Sequence, residues 1–332
     1  MATPLGSLRR LVLAPSLHSV SFAGRKFPVT RTPATDRLEM IPQSVVVGFE
    51  WGIESRGTTE VEQRLAMVEP EMRGFAYEGA AMAFTVRDAI RGHRTGELIL
   101  GSGRPHFFLA YIGIGFAMAR LPRPLWRKIL PDLSDIPFHP TMSWLAVDGY
   151  GFDLAYFHTA RWVDQQQRPV PYPWEGHPGY FLRAVDQGIG RALWFIHGGR
   201  PTAVAAAVAR FAEDRRADLW SGVGLAATFA GGATAAELGR MRDTAARDGY
   251  AGDLAVGAVF AVKARHYADF VPGHTVAAAS ALTGLGIEEA VDLADRTEVE
   301  RTGTGPEPQY ELWRRNIRTQ WLSTVVTPSH KE

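Results

Sequence analysis

A short phrase built on glycine returns along this chain at intervals of 34 to 39 residues. Its copies are Glu78-Gly-Ala-Ala-Met-Ala, Ile112-Gly-Ile-Gly-Phe-Ala, Asp148-Gly-Tyr-Gly-Phe-Asp, Gln187-Gly-Ile-Gly-Arg-Ala and Ser221-Gly-Val-Gly-Leu-Ala, with a fainter sixth, Val256-Gly-Ala-Val-Phe-Ala. A fixed period of this size marks a repeat architecture, in which each unit buries its apolar face only against its neighbours. The period also changes how the phrase is read. Several copies come close to G-x-G-x-x-[G/A], the dinucleotide fingerprint, which needs a preceding strand and an acidic residue about 20 positions on. The segments before most copies carry internal charges and little β-branching, and the acids beyond Gly113, Asp132 and Asp135, sit in a proline-rich turn. A repeat explains every copy, whereas a nucleotide site would explain one.

Segments 107–120, 142–158, 180–197, 219–230 and 254–267 hold the phrase and are apolar nearly all round, the pattern of buried helices. Shorter amphipathic segments, 123–130, 202–211, 235–246 and 275–282, fall between them as covering helices. Leu121-Pro122, Gly198-Gly199-Arg200-Pro201, Gly231-Gly232 and Pro272-Gly273 supply the stops. Residues 45–52 read as a degenerate first copy. The expected fold is all-α, an αα-solenoid-like array of about six repeats of about 35 residues. The division that follows is a basic, irregular N-terminal arm over 1–40, a helical-repeat domain over 41–299, and a linker with a C-terminal capping helix over 300–332.

Glycine inside a helix costs about 1 kcal/mol relative to alanine. A penalty repeated in every unit requires a recurring return, and close approach of neighbouring helix backbones supplies one more simply than a ligand does.

Net charge is +1, so no global field recruits nucleic acid. The charge is uneven, since residues 1–40 hold six basic side chains against Asp36 and Glu39. That arm reads either as loosely ordered or as a short basic amphipathic turn at a membrane surface. Cysteine is absent, which excludes disulfides, thiol nucleophiles and thiolate metal or cluster sites and suits a cytoplasmic protein. The longest charge-free stretch, 219–236, is mostly small residues and lacks the apolarity of a spanning helix.

The residue before the first glycine is Glu78, Ile112, Asp148, Gln187, Ser221 and Val256 in successive copies. Four of the six are polar inside segments fit for a core, and Asp186 adds a carboxylate beside Gln187. Buried carboxylates are costly unless paired, and equivalent positions in stacked helices form a row. Glu78, Asp148, Asp186 and Gln187 are therefore the candidate catalytic groups, for acid–base work or for a hard cation such as Mg²⁺ or Ca²⁺. Against this stands pairing with Arg73, Arg183, Arg191, Arg215 or Arg216. Trp194, Trp220, Tyr150 and Ser221 are the candidate substrate-binding wall. His158, His197 and His266 each fall ten residues after the polar position, where capping of helix ends accounts for them better than metal ligation. No haem-attachment motif and no G-x-S-x-G elbow is present. Neither the cofactor nor the metal, if one is used, is legible here.

Several phrases together resemble the UnbL-type proteins encoded beside enediyne polyketide synthases. They are Arg73-Gly-Phe-Ala-Tyr-Glu-Gly-Ala-Ala-Met-Ala-Phe, Gly113-Ile-Gly-Phe-Ala-Met-Ala-Arg-Leu-Pro, Asp148-Gly-Tyr-Gly-Phe, Asp186-Gln-Gly-Ile-Gly-Arg-Ala-Leu-Trp-Phe and Asp218-Leu-Trp-Ser-Gly-Val-Gly-Leu-Ala-Ala. The likeness covers roughly 5–320. It departs at Asp153, where the pattern calls for His, and that weakens a metal at this position. The resemblance implies a bacterial secondary-metabolism protein that helps mature a polyene into an enediyne core, alongside a membrane-embedded electron-transfer-like protein and a large partner. It carries over no catalytic residue.

Two functions follow as expectations. In one, a groove binds a linear polyketide-derived polyene and assists its oxidative or cyclising conversion. In the other, the array is a non-catalytic scaffold or carrier, which predicts a polar row closed by salt bridges and an exposed apolar patch elsewhere.

Overall fold

The computed structural model describes residues 4–299 and 305–326, so 300–304 of the expected linker lie outside the described residues. Among the described residues every regular element is helical. The chain divides into two compact units, Met1–Thr159 and Ala160–Glu332.

The first unit contains α1 (Pro4–Leu13), α2 (Leu17–Val20), α3 (Pro33–Glu54), α4 (Thr58–Ala66), α5 (Pro70–Asp88), α6 (Arg94–Leu100), α7 (Phe107–Met118) and α8 (Trp144–Phe157). Helices α3, α5, α7 and α8 pack side by side in that order, with α4 and α6 against α5. Phe84, Phe107, Tyr111 and Trp144 form the core and are essentially inaccessible to water.

The arm expected to be irregular is largely helical. Helix α3 already begins at Pro33, because Thr32 and Thr35 form a reciprocal cap and proline at the first position is preset for a helix. The opposite happens at 123–130, expected as a short α-helix. The segment forms a 3₁₀ helix over Arg123–Lys128.

The second unit contains α9 (Pro178–Ile196), α10 (Pro201–Ala209), α11 (Glu213–Ala230), α12 (Ala235–Arg247), α13 (Ala251–Tyr267), α14 (Gly273–Thr283), α15 (Ile287–Thr297) and α16 (Gln309–Val326). Long helices α9, α11 and α13 make an inner layer, and short helices α10, α12 and α14 make an outer one. The alternation matches the sequence pattern. Helix α16 packs on α13 and α15 and anchors itself with Trp313 and Trp321, whose indole N–H groups donate to Ala294 O at 2.8 Å and Thr283 O at 2.9 Å.

The repeated glycines set the spacing of both units. A Cβ on the first glycine of a phrase would collide with the carbonyl oxygen of the polar position on the preceding helix. Gly79 meets Val45 O in this way, Gly113 meets Glu78 O, Gly149 meets Ile112 O, Gly222 meets Gln187 O and Gly257 meets Ser221 O. The second glycine faces the following helix: Gly48 meets Ala76 O, Gly115 meets Ala146 O, Gly190 meets Leu219 O and Gly224 meets Leu254 O. Four of these seams are reciprocal pairs, and only between α5 and α7, where Ala81 takes the second position, is the contact one-sided; carbonyl oxygens fill the places of missing side chains, the geometry of Cα–H···O contacts. Val45 occupies the polar position of the degenerate first copy. Packing is therefore the return on the helix penalty.

Candidate functional site

In the first unit Glu78 lies on α5 and Asp148 on α8, with α7 packed against both. Both carboxylates are buried, at 3% and 1% exposure. Tyr150, on α8 two residues beyond Asp148, turns its ring edge to Trp126 at 5.0 Å, and the Trp126 indole caps α7 through Met118 O and Leu121 O. Asp153 stands where the resemblance calls for His, and it forms an ion pair with Arg120. Burial pushes its carboxyl up, and Arg120 opposes that shift.

In the second unit Asp186 and Gln187 have partners. Asp186 accepts from Arg215 Nε at 3.0 Å to both oxygens, within a buried ion pair, and burial outweighs Arg215 to push its carboxyl up to about 6. Gln187 Nε2 donates to Tyr310 OH at 2.7 Å, across to α16. Ser221 lies between α9 and α13, buried, with its carbonyl against Gly257. Trp194 donates to Gly231 O at 2.8 Å, just past the end of α11, and Trp220, next to Ser221 in sequence, is buried. Both indoles are core.

A larger network lies under α16. Arg314 Nη1 donates to Tyr180 OH at 2.7 Å, Asp218 Oδ1 at 2.8 Å and Glu311 Oε2 at 2.7 Å. Arg183 donates to Asp218 at 2.9 Å and to Glu311 at 2.9 Å, and Tyr180 OH donates to Glu311 at 2.9 Å. Burial opposes the charge of Arg183, but Asp218 and Glu311 overcome it and raise its pKa. Two cations and two carboxylates balance. One turn on, Arg318 pairs with Asp253 of α13. Two polar atoms of this seam, Gln187 Oε1 and Arg314 Nε, are buried with no hydrogen-bond partner.

Sequence reasoning missed this network, although two signals were present. Asp218 and Asp253 each stand three residues before the polar position of consecutive copies, and Arg314 and Arg318 are four apart on one helix face. Of the arginines named as possible partners, Arg215 takes Asp186, while Arg73 and Arg216 bind carbonyls at the ends of α4 and α10.

The structure thus brings Gln187 and Asp186 into the second unit's closed interior and keeps Glu78 and Asp148 in the first. All eight predicted residues are buried, none more than 8% exposed. His158 and His197 are the C-cap residues of α8 and α9, and His266 ends α13, 3.7 Å from the Glu288 carboxylate. Among the described residues no group of three or more His, Asp or Glu is arranged to hold a metal ion. A surface cleft of about 170 Å³ lies between α15 and α16, lined among others by Leu285, Leu293, Trp321 and Arg296, and none of the eight residues lines it. Among the described residues no helix is long and apolar enough to cross a membrane.

An all-α protein of long buried helices joined by glycine seams, with its polar row buried inside, is a helical-array protein. The chain belongs to the DUF1702 family, described as a protein of unknown function, whose profile matches residues 4–321. No curated protein and no solved structure matches it.

Proposed function

We propose that this protein is a non-catalytic helical scaffold of a bacterial natural-product pathway, the maturation of a polyketide-derived polyene into an enediyne core. The pathway rests on the sequence resemblance. The scaffold role rests on one observation: every candidate catalytic and substrate-binding residue is buried, and in the second unit Asp186 is held in an ion pair with Arg215 and Gln187 in a hydrogen bond to Tyr310. A catalyst needs its acid–base groups within reach of substrate. In this reading the partners are the soluble and membrane proteins of the pathway, and the basic N-terminal arm places the protein peripherally at the membrane.

One observation favours the other reading, a groove assisting an oxidative or cyclising step. The Asp186 carboxyl is pushed up to about 6, the range in which an acid works near neutral pH. Product formation in a producing strain separates the two. Glu78→Gln, Asp148→Asn and Asp186→Asn variants, shown folded by circular dichroism, should leave product yield within a few-fold of wild type. A loss of 100-fold or more in any folded variant would replace the scaffold with a catalyst, since positioned acids and bases contribute about 10²–10⁴.

A further inference from the structure

Five of the large apolar side chains exposed on this molecule fall within ten residues of one another: Leu8, Leu11, Val12, Leu13 and Leu17. Leu8, Leu11 and Val12 share one face of α1 by their i, i+3, i+4 spacing, and Leu11 and Val12 are 82% and 70% exposed. Helix α1 is held to the body by α3, and Gly6 is buried. The stripe therefore faces away from its own support. A contiguous exposed apolar stripe of this kind is a mark of an interaction surface.

The surroundings carry positive charge. Arg10 reaches Glu54 at 3.4 Å, and Arg94 reaches Asp88 at 3.2 Å. Arg87 spends its donors on Gly52 O and Ser55 O, and its pKa falls to about 10 through burial and then through the repulsion of Arg9 and Arg94. Arg9 Nε is buried with no hydrogen-bond partner. Arg9 and Arg10 of α1, with Arg87 and Arg94 near Arg9, thus bring four guanidinium groups against the carboxylates of Glu54 and Asp88, an excess of positive charge near α1.

We infer that α1 is a docking helix for an anionic lipid surface, with Leu8, Leu11 and Val12 entering the acyl boundary and the positive charge of Arg9 and Arg10 behind them attracting the headgroups. A short helix with an apolar face and flanking arginines is the form that lies in a bilayer interface. The patch is a single helix face rather than a groove, so a flat fluid surface fits it without shape complementarity. A second copy fits poorly, because a two-fold contact through α1 would set the two excesses of positive charge against each other. The inference deepens the peripheral placement proposed above.

The test uses the purified full chain and vesicle flotation, with phosphatidylcholine vesicles and vesicles enriched in phosphatidylglycerol. The protein should float with the anionic vesicles and far less with the neutral ones. Binding should weaken roughly 10-fold as NaCl rises from about 0.1 M to about 0.5 M. Leu11→Asp with Val12→Asp should weaken it by roughly 100-fold, from the loss of two buried apolar side chains, while circular dichroism and Tm stay as in wild type because both positions are exposed. The inference is overturned if wild type fails to float with anionic vesicles, if it floats equally with neutral ones, or if the double substitution leaves binding unchanged. It is also overturned if sedimentation shows a dimer that the double substitution dissociates while no vesicle is bound; that result would assign the face to a second copy. No pathway partner enters this assay, so its outcome is separate from the product-yield test of the scaffold reading.

Discussion

The Asp186 carboxylate shows how far burial can work against a neighbour of opposite charge. Arg215 contacts both of its oxygens, yet the loss of hydration is the larger effect and its pKa rises to about 6. An unfolded aspartate titrates near 3.9. Between about pH 4 and pH 6 the unfolded chain has released this proton while the folded chain still holds it, so rising pH favours unfolding across that window. Above about pH 6 both states are ionised and the contribution is flat. The stability of wild type minus that of Asp186→Asn should therefore fall by about 1–3 kcal/mol from pH 4 to pH 6 and then level off. Urea titrations of both proteins across this range measure it. A difference that rises with pH would mean that the Arg215 pair outweighs desolvation.

At the scale of elements, α16 holds the second unit together by charge as well as by apolar burial. Removing Arg314 would leave Arg183 as the one cation facing the two carboxylates of Asp218 and Glu311, each 2% exposed. Breaking a buried pair from one side costs about 3–5 kcal/mol. Arg315, the next residue, pairs with Glu307 in partly exposed surroundings, where a pair contributes at most about 1 kcal/mol. Arg314→Ala and Arg315→Ala should thus differ several-fold in their cost by urea unfolding, and similar losses would sink the account of the network. The existence of α16 was legible from its amphipathic pattern, as were the long buried helices and their glycine and proline stops. Its partners were not, because Asp218 and Arg314 are 96 residues apart and nothing local links them. The candidate residues lie buried on the helices expected to be buried. What the sequence left open was pairing against function, and in the second unit the deciding arginines were only some of those available. Local signals also underestimated residues 4–20, where helix formation depends on α3 as support.

Across the whole molecule, glycine seams carry the architecture, and each unit is held by nearest-neighbour contacts between its helices. Energetics of this kind are local to a seam. Gly222 of α11 faces Gln187 O and Arg191 N of α9, backbone atoms that cannot swing away. Gly222→Ala should cost about 1–3 kcal/mol from overpacking, despite alanine's better helix propensity. Gly239, on α12, has open space where a Cβ would stand, with no neighbouring atom within 4 Å, so Gly239→Ala should stabilise by about 0.5–1 kcal/mol. The same substitution thus takes opposite signs at a seam and at an open position. Hydrogen exchange adds the spatial half of the prediction: Gly222→Ala should lower protection in α9, α11 and α13 and leave α3, α5 and α7 as in wild type. Equal loss across both units would mean that stability is pooled over the chain, and a neutral Gly222→Ala would mean that the repeated glycine serves something other than the approach of one backbone to the next.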